Sequence, residues 1–210
     1  MAVSALAFAL FAGLSVGHAA EHQFKVAPGR CSGAPEIDFT ESINAYLRRI
    51  PNNITMPINP DRTWPMGIKI SSSQVTGLAS LWAYKQYHTF CAGNSTLMEV
   101  VVFADDPLTF GLNWKSCTGH RGKLETKVSS SKLRLYFMPE PTPEDPTKVI
   151  MYNIEAESLD RPALLIEGAP SGLRGLVGIL NVVAMPYIEL FWRRFLGVDV
   201  MSLLRDDLRI

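Results

Sequence analysis

Side chains able to do chemistry are few in this sequence, and their spacing does not gather them. A serine hydrolase needs its nucleophile on a strained turn with an imidazole in hydrogen-bond reach. No Gly-x-Ser-x-Gly occurs, and beyond the first twenty residues histidine is found only at His22, His88 and His120. The serine runs Ser71–Ser73 and Ser129–Ser131 read as polar faces and bulges of strands. Carboxylates pair at Asp105-Asp106, Glu155/Glu157 and Asp206-Asp207, whereas glycoside hydrolysis needs two of them facing each other across a cleft. Asp105-Asp106 precedes Pro107 in a turn, and Glu155 and Glu157 share one face of a strand, so both pairs read as solvated. No metalloprotease helix motif, phosphate-binding glycine loop or dinucleotide fingerprint is present. Accordingly no catalytic residue, cofactor or metal site is assigned, and no enzymatic activity is expected.

The cysteines carry a different chemistry. Residues 1–20 contain no charged side chain and run from Ala5 to Val16 almost wholly as Leu, Ala, Phe and Val. This is a secretory leader, with Gly17 and Ala19 at the −3 and −1 places of a cut after Ala19. The n-region lacks Lys and Arg, which leaves retention as an N-terminal anchor as the alternative. The expected organisation is a signal peptide over 1–19 and one domain over 20–210, secreted into an oxidising compartment. There three cysteines imply one bridge and one leftover. Cys91 and Cys117 each close an apolar run and are expected to pair, leaving Cys31 either free or for an intermolecular bridge in a homodimer; pairing of Cys31 with either partner is the alternative. Sequons at Asn53-Ile54-Thr55 and Asn94-Ser95-Thr96 predict surface glycosylation sites at Asn53 and Asn94.

The elements that position these residues follow from periodicity. Ile37, Phe39, Ile43, Tyr46, Leu47 and Ile50 fall near helical spacing, with acids early, arginines late and Pro51 as the stop. A proline-rich connection over 51–65 leads to runs with strand character at Met66–Thr76, Leu78–Phe90, Thr96–Ala104, Leu108–Ser116, Lys123–Met138 and Lys148–Leu159. Alternation is clean at Leu108, Phe110, Leu112 and Trp114. Between Leu124/Val128 and Leu133/Leu135/Phe137 the apolar phase slips, which predicts a bulge at Ser129–Ser131. Short turns between the runs predict an antiparallel meander. These runs exceed the usual 5 to 6 or so residues of a strand, as a sheet that wraps would require.

From Leu173 onward the sequence reads as helix, kinked at Pro186, and Leu176–Phe195 is apolar nearly all round. A membrane span is the alternative, opposed by Arg174, Asn181, Pro186, Glu189, Arg193 and Arg194, which leave no apolar run of about 18 residues. Twenty basic and twenty acidic residues balance, so nothing electrostatic points to nucleic acid. With 47% apolar and 10% aromatic residues the chain holds a sizeable core and is not disordered.

In layout the chain resembles the tubular lipid-binding superfamily, which includes the bactericidal/permeability-increasing, juvenile-hormone-binding and takeout proteins. It is nearest in size to the group-seven mite allergens. The resemblance rests on the opening helix Ile37–Ile50, the strand-turn-strand GIKISSSQVTGLASLW and the closing LNVVAMPYIELF around Pro186. It implies an α+β fold in which a long, strongly curved antiparallel sheet wraps a long C-terminal helix beside the N-terminal amphipathic helix. It also implies binding of a lipid, fatty acid or terpenoid in an apolar groove or tube. Ile43, Tyr46, Leu47, Leu180, Val183, Tyr187 and Phe191, on the apolar sides of the two helices, are the expected lining. The alternative is a secreted module with a self-filled core that binds a protein partner.

Overall fold

Alternating burial along the central strands shows how the sequence builds the fold. In the computed structural model, which describes residues 26–34, 36–57, 63–64, 67–168 and 185–207, every second residue of Ser130–Pro139 is buried from Ser131 to Phe137. The strands are β1 (Val26–Pro28), β2 (Asn53–Thr55), β3 (Thr63–Trp64), β4 (Ile68–Thr76), β5 (Leu81–Ala83) and β6 (His88–Ala92). They continue as β7 (Ser95–Ala104), β8 (Leu108–Lys115), β9 (Arg121–Val128), β10 (Ser130–Pro139), β11 (Val149–Asp160) and β12 (Ala163–Glu167). Two antiparallel sheets result: β1-β6-β7-β10-β11 with β5 also on β7, and β12-β9-β8-β4-β2 with β3 also on β4.

This overturns the expected architecture. Strands make up 49% of the chain, the sheets are two rather than one, and neither is strongly curled around a helix. The phase slip near Ser129 has a different cause from a bulge. Val128 closes β9 in the second sheet and Ser130 opens β10 in the first, so the chain changes sheets there and the buried face changes with it. The expected single strand Lys123–Met138 is therefore two. The run Leu78–Phe90 is likewise broken, into a 3-10 turn at Leu78–Ser80 and the strands β5 and β6. Gly77 makes that turn with φ +93°, and a Cβ there would collide with the Pro107 carbonyl.

Helix α1 covers Thr40–Arg48, shorter than the Ile37–Ile50 expected. The Asp38 carboxylate accepts the Thr40 N–H at 2.9 Å in an Asx-type turn, which fixes the start. At the other end Arg49 and Ile50 donate to Tyr46 and Leu47 in a tightened 3-10 turn before Pro51. The C-terminal helix α2 is described from residue 185 to 207, with a π-helical turn at Leu196–Val200. A continuous core joins the inner faces of both sheets to Ile43, Tyr46 and Leu47 of α1 and Ile188, Trp192, Leu196 and Leu204 of α2. Each such side chain contributes roughly 2 kcal/mol by leaving water.

Helix α2 ties the sheets together. Phe191 and Phe195 pack on Phe110 of β8, and Trp192 donates to Thr126 of β9. On the other side the Arg193 guanidinium, steadied by Glu189, donates to the Ala156 carbonyl of β11. Gly197 lets the helix approach closely, since a Cβ there would stand 3.2 Å from the Ile154 carbonyl. The exposed backbone of the edge strand β11 is thereby covered, which protects it from pairing with another chain.

Candidate ligand groove

The first sheet has two faces of different character. On the inner face, register aligns Met98, Phe137 and Met151, then Val100, Leu135 and Ile154, then Val102, Leu133 and Ala156, all buried. The rows between them point the other way. One runs His88, Glu99, Tyr136, Asn153 across four strands. Beside it Pro28 pairs with Phe90 and Phe90 with Leu97, and Met138 follows the Phe137–Met98 pair on the same face. Together these two rows floor an open groove of about 750 Å³, with a larger apolar bed and a smaller polar wall. That volume and mixture suit a small-molecule site.

Two register shifts in the β10–β11 ladder shape the wall. Tyr136 faces Asn153 but Phe137 faces Met151, and Lys132 faces Ser158 but Leu133 faces Ala156. Tyr152 and Glu157 are therefore the extra residues of two bulges, a device that re-aims side chains. Tyr152 lines the groove and is 45% exposed. Glu157 lies over the same face, where it accepts from Lys132 Nζ at 2.6 Å and Arg134 Nε at 3.2 Å. These hydrogen bonds, the Lys132 one foremost, hold its carboxyl below the ordinary range.

The groove's own polar groups are differently partnered. Glu155 accepts from Tyr136 Oη at 3.1 Å and Asn153 Nδ2 at 3.3 Å, and among the described residues no basic side chain forms an ion pair with it. Glu99 stands 3.9 Å from Arg134 Nε. Phe90 meets Tyr136 edge-on, with ring centroids 6.0 Å apart. Burial, with the Glu155 and Glu99 charges behind it, pushes the Tyr136 phenol up to about 12.

The side chains expected to line a cavity lie elsewhere. Ile43, Tyr46 and Leu47 are buried in the core. Tyr46 stacks edge-on against Phe137, and its hydroxyl donates to the Leu204 carbonyl at 3.1 Å. Phe191 packs among Phe110, Trp192 and Phe195. Tyr187 is 49% exposed on α2, away from the core. Leu180 and Val183 fall outside the described residues, as does the leader. An amphipathic stripe marks what a helix buries, and here that is the shared core. The groove residues carried a sequence signal that whole-strand reading overlooks: in β11 burial falls at Val149, Met151, Ile154, Ala156 and Leu159, so the alternation breaks twice.

Cysteine pairing is also corrected. Cys31 is bonded to Cys91, while Cys117 is exposed and outside any disulfide. Strand β1 pairs with β6 and sets Ala27 opposite Cys91, which carries the chain following β1 to the bridge. Cys117 lies in the turn after β8, and Cys91 is already bonded to Cys31, so the expected Cys91–Cys117 bond is not formed. Cys31, bonded to Cys91, is not available for the intermolecular bridge expected of it. Asn53 is exposed on β2, and Asn94 is exposed at the tip of the two-residue β6–β7 hairpin. His88 sits at the rim of the groove and His120 in an exposed turn.

Among the described residues no three His, Cys, Asp or Glu side chains are placed to hold a metal ion, and no helix is long and apolar enough to cross a membrane. No protein-family model matches the chain, and no curated protein is significantly similar to it.

Proposed function

We propose that this is a secreted binding protein that holds a small hydrophobic ligand in the groove on the outer face of its first sheet, and that it is not an enzyme. The observation carrying this reading is the pair of adjacent rows, Phe90–Leu97–Met138 beside Glu99–Tyr136–Asn153. An apolar bed supplies affinity, on the order of 25 cal/mol for each Å² buried before ordering costs, and a polar wall fixes orientation. The Cys31–Cys91 bridge and the leader support export, with glycans at Asn53 and Asn94. Kinship with the tubular lipid-binding proteins is part of the proposal on the short sequence motifs alone, with the ligand seated outside the core. The test is titration of a neutral apolar fluorophore against wild-type protein and Met138→Asp. Saturable binding lost in the variant is expected; absence of saturable binding, or binding that Met138→Asp leaves intact, overturns the reading.

A protein-binding role is the alternative, favoured by the cluster of exposed Trp82 and Tyr84 with half-buried Phe103, whose ring centroids lie 5.3 to 6.2 Å apart at the short strand β5. Loss of a stable complex in Trp82→Ala, with fluorophore binding unchanged, would support it.

A further inference from the structure

Resting on the groove reading, we propose that its natural ligand is an amphiphile whose head is a protonated amine. Its apolar body would lie along Phe90, Leu97 and Met138, and its head would meet Glu155 beside the rings of Phe90, Tyr136 and Tyr152. Three observations combine. First, among the described residues the carboxylates Glu99, Glu155 and Glu157 outnumber the cations Lys132 and Arg134 on this face, with the His88 imidazole paired opposite Glu99. Glu157 engages both cations, which leaves Glu155 with only neutral donors. An anionic head such as a fatty-acid carboxylate would meet net repulsion there, whereas an ammonium meets net attraction.

Second, the wall offers acceptors. Tyr136 has already given its proton to Glu155, and a carboxylate has roughly four lone-pair sites, of which Tyr136 and Asn153 fill two. A head that donates several hydrogen bonds completes this set. Third, Phe90 and Tyr136 meet edge to face, at 89°, and a ring face that this contact leaves open offers a wall to a small cation. The bulge at Tyr152 adds a third ring to the same groove.

The experiment compares dodecylamine, dodecanol and dodecanoate as competitors of a neutral fluorophore at neutral pH, all below their aggregation concentrations. Dodecylammonium is expected to bind at least tenfold tighter than dodecanol and dodecanoate weaker than either, with the preference shrinking at high salt. In Glu155→Gln the ratio of dodecylammonium to dodecanol affinity should fall towards one. Equal binding of all three competitors, or a ratio that Glu155→Gln does not change, overturns the amine assignment and leaves the groove reading standing. Failure of all three to compete overturns both.

Discussion

The indole Nε1 of Trp192 donates a 3.1 Å hydrogen bond to Thr126 Oγ1, joining the C-terminal helix to the second sheet through two buried polar groups. Trp192 is fully buried, so Trp192→Ala should lower stability in urea unfolding by about 3 to 5 kcal/mol. Thr126→Val should cost about 1 to 3 kcal/mol, because it strands the indole N–H. Equal, negligible losses in both variants would mean that the helix does not anchor the core.

The Cys31–Cys91 bridge spans 60 residues. Chain entropy assigns such a loop a stabilisation of about 4 kcal/mol. Cys31→Ser should therefore shift the denaturation midpoint strongly. Maleimide labelling of the folded, non-reduced protein followed by peptide mapping should mark Cys117 alone.

Gly77 combines a left-handed backbone with close approach to the Pro107 carbonyl. Gly77→Ala should destabilise by about 2 kcal/mol or more, whereas Gly93→Ala, with open space around its Cβ site, should cost about 1 kcal/mol. Thermal melts of the two variants check the order.

The Tyr136 phenol titrates near 12 in the folded protein against about 10 unfolded. Its neutral form is favoured by folding, so this contribution to stability is fully present below pH 10 or so and is lost as pH rises towards 12. Ultraviolet titration of Tyr136→Phe against wild type should remove a high-pH phenol, and Glu155→Gln should move that transition down.

How much of this was legible in the sequence differs by element. Helix α1 could be read because a single side of it faces the core, so apolar spacing maps directly onto burial; in the strand Leu108–Lys115 the alternation marks the strand, but of its apolar row only Leu108 is buried and Phe110, Leu112 and Trp114 are half-buried. Sheet membership could not. Ser129 separates strands of different sheets, and a two-residue change of partner leaves the same local mark as a bulge. The groove was hidden for a related reason: Phe90, Leu97 and Met138 lie outside the main core cluster although Leu97 is itself buried, and only register shows them side by side. The disulfide needed β1, a three-residue strand too short to carry a periodic pattern.

The most direct measurement is methyl NMR with dodecanol, because methionines lie on both faces of the same sheet. Met138 opens onto the groove, while Met98 and Met151 are buried in the core. Intermolecular NOEs from the dodecanol chain to the Met138 and Leu97 methyls, with none to Met98 or Met151, are the predicted result. NOEs to Met98, Met151 or Ile43 instead would place the ligand inside the core and contradict the groove.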